Sequence, residues 1–235
     1  MKNKKALLTL ASIVLVAAVS VAGTFAFLTA QSNAVTNTFV AEGAGKIIDD
    51  DPATEDTEEG TFVIEETAVT QNEDGTYSTA SGTTSSGIDF KILPGLTLPK
   101  KATIKVTGKT KVPAYLYCEV KADLTDDVYE WEVDPDNWIK LDSVTGAQEG
   151  DVYVYTTDGT NPAIVKATDT DYTNLPEIGI LKDNQIKVKD DVTEDVLKDI
   201  TDTNKDSIEF YSYLAQASAG TDAATAYTNC FTPAP

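Results

Sequence analysis

The strongest constraint on this fold is a run of period-two alternation over residues 102–122. Ala102, Ile104 and Val106 alternate with Thr103, Lys105 and Thr107. After a turn over 108–111 the pattern resumes. Val112, Ala114, Leu116, Cys118, Val120 and Ala122 fall on one side, and Tyr115, Tyr117, Glu119 and Lys121 on the other. Successive side chains of a strand point to opposite faces, so the run reads as two strands, each with one buried face. Leu93-Pro94-Gly95 and Pro99 keep helix out of the approach to them.

The rest of the chain continues the theme. Residues 61–69 read as a strand, followed by a Gly/Ser/Thr-rich hairpin over 71–87 turning at Asp74-Gly75. Residues 128–133 and 138–141 are strand-like around Asp134-Pro135-Asp136-Asn137. Val152 and Val154 alternate with Tyr153 and Tyr155. Residues 178–188 read as a strand pair around Asp183-Asn184, and 208–218 as the last major strand. Two short helices are expected. One spans 192–200, where Val192, Val196 and Ile200 recur every four residues, and the other is an Ala-rich turn over 221–227 capped by Thr221. Many short strands with few helices predict a mainly β fold, an antiparallel jelly roll or β-sandwich with long acidic loops. The acidic stretch at 49–60 reads as one such loop, because like charges repel and extend.

Function classes are narrowed by what is missing. The 235 residues include no histidine, and all 18 basic residues are lysine, against 38 acids, for a net charge of -20. Without histidine there is no imidazole base, no Ser-His or Cys-His pair and no His-ligated zinc. Without arginine there is no bidentate clamp for phosphate or carboxylate. The acidity opposes binding to nucleic acid, and none is expected as a partner. The chain is read as a non-enzyme. A glycosidase working with carboxylates alone is the remaining enzymatic alternative, and no spacing among the acids singles out a pair for it.

The amino terminus carries an export signal. Lys2, Lys4 and Lys5 precede an uncharged apolar run over 6–22, and small residues follow at Gly23, Thr24 and Ala26. Residues 1–26 are therefore expected to be a signal peptide cleaved between Ala26 and Phe27. The alternative is an uncleaved anchor, since 6–30 would be long enough to span a bilayer. Cleavage removes three lysines and leaves 15 against 38 acids, or -23. No lipid anchor or sorting signal is read near Pro235, so attachment would come from assembly or from other proteins. Residues 27–42 form an uncharged arm up to Glu42, with Leu28, Val35, Phe39 and Val40 as its apolar anchors. Residues 43–235 are read as one β domain.

No cofactor or metal site is expected. Gly43-Ala44-Gly45-Lys46 fails as a phosphate loop, because Ile47 replaces Ser/Thr and Val40 stands where the first glycine belongs. Asp202, Asn204 and Asp206 fail as a calcium loop, with Ser207 in place of glycine and Tyr213 in place of the bidentate carboxylate. Cys118 and Cys230 are the only two cysteines. In an exported protein a disulfide would tether the C-terminal tail and stabilise by about 4 kcal/mol on the chain-entropy model. A pair of free thiols is the other reading.

Several segments, in order, resemble one family, the TasA/camelysin-like biofilm matrix proteins of Gram-positive bacteria. They are Gly23-Thr24-Phe25-Ala26-Phe27, Asn37-Thr38-Phe39-Val40-Ala41-Glu42-Gly43, Leu93-Pro94-Gly95, Tyr115-Leu116-Tyr117-Cys118-Glu119-Val120, and Tyr213-Leu214-Ala215-Gln216-Ala217. The resemblance implies processing by a dedicated signal peptidase and export to the cell surface or matrix. It also implies a jelly-roll subunit that polymerises with copies of itself, with minor matrix or anchoring proteins as further partners. In such fibres the N-terminal arm of one subunit adds as a strand to the next. Backbone hydrogen bonds then supply affinity and alternate side chains supply register. Residues 27–40 are the candidate donor arm. The other reading makes them an ordinary first strand of their own subunit. The alternative function is a monomeric adhesin or pilin-like binding module. Camelysin-like members have been classed as metalloendopeptidases, but this chain has no His-Glu-x-x-His to carry that role.

Overall fold

The structure, a computed structural model, describes residues 29–32, 48–49, 62–84, 90–106, 109–110, 113–125, 127–165, 175–197, 200 and 206–231. Within them the fold is mainly β. The strands begin with β1 (Thr29–Ser32), β2 (Ile48–Asp49), β3 (Phe62–Gln71), β4 (Tyr77–Thr84) and β5 (Thr97–Pro99). Next come β6 (Ala102–Val106), β7 (Lys109–Thr110), β8 (Ala114–Asp123), β9 (Tyr129–Glu130) and β10 (Trp138–Thr145). They end with β11 (Asp151–Tyr155), β12 (Ile164–Val165), β13 (Leu175–Gly179), β14 (Gln185–Val188) and β15 (Ser207–Gln216). Helix α1 (Glu194–Leu197) precedes β15, and α2 (Ala223–Phe231) follows it.

All the pairings between these strands are antiparallel. The main sheet runs β1-β15-β8-β11-β10, with β12 also on β8, and a second runs β13-β6-β3-β4. A third, β5-β14-β9, and the pair β2-β7 complete the set. The main core lies between them, drawing Leu116, Cys118, Phe210 and Leu214 from the main sheet, Ile64, Ile104 and Ile178 from the second, and Leu98, Ile186 and Val188 from the third. That arrangement is a sandwich of antiparallel sheets, the mainly β class the alternation predicts.

Local rules account for much of it. β6 buries Ala102, Ile104 and Val106 as read, and the neighbouring Thr103 hydroxyl donates to the Glu65 carbonyl at 3.4 Å. The β3–β4 hairpin turns where Gly75 takes φ +86, a left-handed conformation that suits glycine, and the Asp74 carboxylate accepts the Thr76 amide at 2.9 Å. Asp134 organises its turn as well, accepting the Asp136 amide at 3.1 Å and the Asn137 side chain at 2.8 Å.

Three expectations need correction. β8 is buried on both faces from Leu116 to Val120, because α2 lies over the face expected to meet water. β13 and β14 flank the Asp183-Asn184 turn but join different sheets. Asp183 and Asn184 both take positive φ, and the turn sends the chain from the second sheet to the third. Of the helix expected over 192–200, the described residues form one turn, Glu194–Leu197; Val196 is exposed, while Val192, Leu197 and Ile200 pack against the main core.

Candidate assembly edge

β15 sits between two very different neighbours. On one side it pairs with β8 along its whole ten residues, from Ser207 opposite Asp123 to Gln216 opposite Ala114. On the other it carries β1, with Thr29 opposite Ala215 and Ser32 opposite Ser212. Among the described residues no strand pairs with 207–211 on that side. Tyr211 lies in this stretch, and its hydroxyl donates to Glu209 at 2.6 Å. Burial, then the Glu209 contact, pushes the Tyr211 phenol up to about 12. β1 is thus a short edge strand, drawn from the opposite end of the chain.

Behind this edge, on the outer face of the main sheet, lies a second apolar cluster. Tyr117, Val152, Val154, Tyr213 and Ala215 from the sheet meet Ala223 and Tyr227 from α2. The rings interlock edge-on, with Tyr117–Tyr227 centroids 5.1 Å apart and Tyr213–Tyr227 5.5 Å apart. Asp222 caps α2, accepting the Thr225 amide at 2.8 Å, so the cap falls one residue after the Thr221 read from sequence. The Tyr117 hydroxyl donates to the Ala223 carbonyl at 2.8 Å, fixing the helix start to β8.

At the centre of the cluster is Glu119, fully buried. Its Oε1 accepts the amides of Gln148 at 2.8 Å and Gly150 at 2.9 Å. Its Oε2 accepts the hydroxyls of Tyr213 at 2.8 Å and Tyr227 at 3.2 Å. A buried carboxylate needs such partners, and here all four donors are neutral. Burial, together with the Glu119 carboxylate, holds the Tyr213 and Tyr227 phenols well above their ordinary value. The turn over 146–150 fits Glu119 so closely that a Cβ on Gly146 would collide with the carboxylate.

No protein-family model, curated protein or solved structure matches this chain.

The residues singled out from sequence fall in three places. Ala26, Phe27, Leu28, Val35, Phe39 and Val40 lie outside the described residues. Of the candidate arm, Thr29–Ser32 forms β1 and pairs with β15 of its own chain. Cys118 and Cys230 are both free thiols. Cys118 faces the main core and Cys230 packs on the outer cluster, so the sheet separates them and no bond can form in this arrangement. Burial raises both thiols, Cys230 to about 11. Asp206, from the rejected calcium loop, instead accepts the amide and hydroxyl of Thr125 at 3.0 and 2.8 Å. Among the described residues no three His, Cys, Asp or Glu side chains are placed to hold a metal, and no helix is long and apolar enough to cross a membrane.

Sequence reasoning missed Glu119, Tyr213 and Tyr227. The available signal was the aromatic character of Tyr115 and Tyr117 on the nominally wet face of β8, set beside an Ala-rich helix with aromatic residues near the end.

Proposed function

We propose that this chain is a secreted structural subunit that polymerises into extracellular biofilm-matrix fibres by head-to-tail β-strand addition. The observation that carries the reading is the position of β1. It is an outermost strand, taken from the start of the chain and held beside a strand from the end of it. Its residues, Thr-Ala-Gln-Ser, carry no charge, and the pairing with β15 is a backbone ladder. Such a strand can be supplied by another copy without rearranging the sheet behind it, and one copy's arm on the next copy's edge propagates as an open filament. If the β1 register is kept in trans, Leu28 lies opposite Gln216 and Val35 opposite Glu209. Phe39 and Val40 then extend past Ser207. The chemistry asked of the protein is packing and pairing, which needs neither histidine nor arginine, and no catalytic role is proposed.

The signal peptide, cleavage between Ala26 and Phe27, and location in the matrix or at the cell surface belong to the same proposal. So do a dedicated signal peptidase and minor anchoring proteins as partners. The jelly-roll topology is also part of it.

One observation favours the second reading, a monomeric adhesin or pilin-like module. β1 pairs within its own chain, which satisfies the edge without a partner. Light scattering of the chain beginning at Phe27 separates the two. An apparent molar mass that rises with concentration is the expected outcome, and a monomer mass at every concentration supports the adhesin.

A further inference from the structure

Glu119 stands behind the arm-accepting segment and not in it. Its Oε2 takes one hydrogen bond from Tyr213, within the stretch 212–215 that pairs with β1, and another from Tyr227 in α2. The Tyr227 oxygen also accepts the Ala147 amide at 3.1 Å, while Glu119 Oε1 holds the amides of Gln148 and Gly150. A single carboxylate therefore ties together the acceptor strand, the β10–β11 turn and the C-terminal helix. The rings repeat the connection, since Tyr213 packs on Phe231 with centroids 4.9 Å apart as well as on Tyr227.

We infer that Glu119 is a positioning residue that couples the docking of α2 to the arm-accepting segment of β15, so that this segment is set to pair with an arm only while α2 is docked. The inference concerns regulation of the edge proposed above, and its bearing on assembly rests on that reading.

The physical argument follows the hydrogen bonds. Undocking α2 removes one donor from Oε2, leaves the Ala147 amide without its acceptor and uncovers the outer face of Tyr213. Buried polar groups left unpaired are costly, so the carboxylate and Tyr213 must readjust together. Tyr213 lies on a strand with β8 on one side and only the four-residue β1 on the other, so a readjustment of Tyr213 reaches 212–215, where the arm pairs, directly. Coupling of this kind is reciprocal. An arm that fixes 212–215 should in turn tighten the docking of α2.

Hydrogen exchange on the dilute chain beginning at Phe27 tests this. Tyr227→Phe deletes the shared hydroxyl and keeps the ring. It is expected to speed exchange about tenfold both in 223–231 and in 212–216, with β3 and β6 unchanged. Glu119→Gln, which turns an acceptor oxygen into a donor amide, should affect the same two segments. Acceleration confined to 223–231 would overturn the coupling. So would an equal acceleration in β3 and β6, which marks a general loss of stability, or no change at 212–216 in Glu119→Gln. The outcome is independent of fibre formation. A wild-type chain that never makes filaments defeats the fibre reading and leaves the exchange result standing, whereas filaments with uncoupled exchange do the reverse.

Discussion

Lys100 and Glu66 meet at a seam between the sheets, 2.7 Å apart and both more than nine-tenths buried, with the lysine 5.8 Å from the centre of the Phe210 ring. Such a pair gains little net stability over apolar residues of the same shape, because both charges lost their water on burial. Removing one partner is different, since it strands the other. Lys100→Met is expected to lower unfolding free energy by about 3 kcal/mol or more. The double variant Lys100→Met/Glu66→Leu should recover most of that. Urea denaturation of the three proteins measures it, and equal losses in the single and double variants would contradict the reading. The ion pairs at the surface, such as Lys140–Asp151 and Lys182–Glu132, are more than two-fifths exposed and should each contribute far less.

At the scale of elements, the sequence was legible where neighbours along the chain decide the structure. The alternation of β6, the Asp74-Gly75 hairpin and the strand at 207–216 all follow from side chains a few residues apart. β8 was half legible. Of its inward row Ala114, Leu116, Cys118 and Val120 are buried as read while Ala122 is exposed, and its outward row was expected in water because tyrosine and glutamate suit an exposed face. What buries them is remote: Tyr213 lies 94 residues further on and Tyr227 lies 108 further on. No local pattern carries that pairing. The α1 periodicity misled for a related reason, because packing took Val192, Leu197 and Ile200 and left Val196 outside. The anchors of the arm stay at the level of sequence, since Leu28, Val35, Phe39 and Val40 lie outside the described residues.

The tyrosine cluster under α2 also sets a pH limit. Burial raises the phenols of Tyr117, Tyr213 and Tyr227 above the ordinary value of 10.0, so the folded protein keeps protons that the unfolded chain releases. The stability this gives is fully present below pH 10 and is lost as pH rises beyond it. Raising the pH should therefore delay the ultraviolet signal of tyrosinate, then release it together with loss of α2. Smooth titration of all the tyrosines near their ordinary value, with the helix intact, would contradict the packing of this cluster.

On the scale of the whole molecule, the proposed assembly has to work against net charge. A processed chain would carry 15 lysines against 38 acids, so free subunits repel one another. Salt screens that repulsion within about 10 Å at 0.1 M, and acid neutralises it. Filament formation should accordingly start at lower protein concentration as salt is added or pH is lowered. A critical concentration indifferent to both would mean that electrostatic repulsion does not limit assembly. The absence of histidine and arginine fits the same picture, in which the surface serves pairing and packing.

The central claim is that the N-terminal arm joins one copy to the next along the edge of β15. Electron microscopy of the chain beginning at Phe27, beside a variant lacking residues 27–40, tests it most directly. The expected result is filaments from the first and a folded, filament-free monomer from the second. Undiminished filaments from the truncated chain would contradict the account.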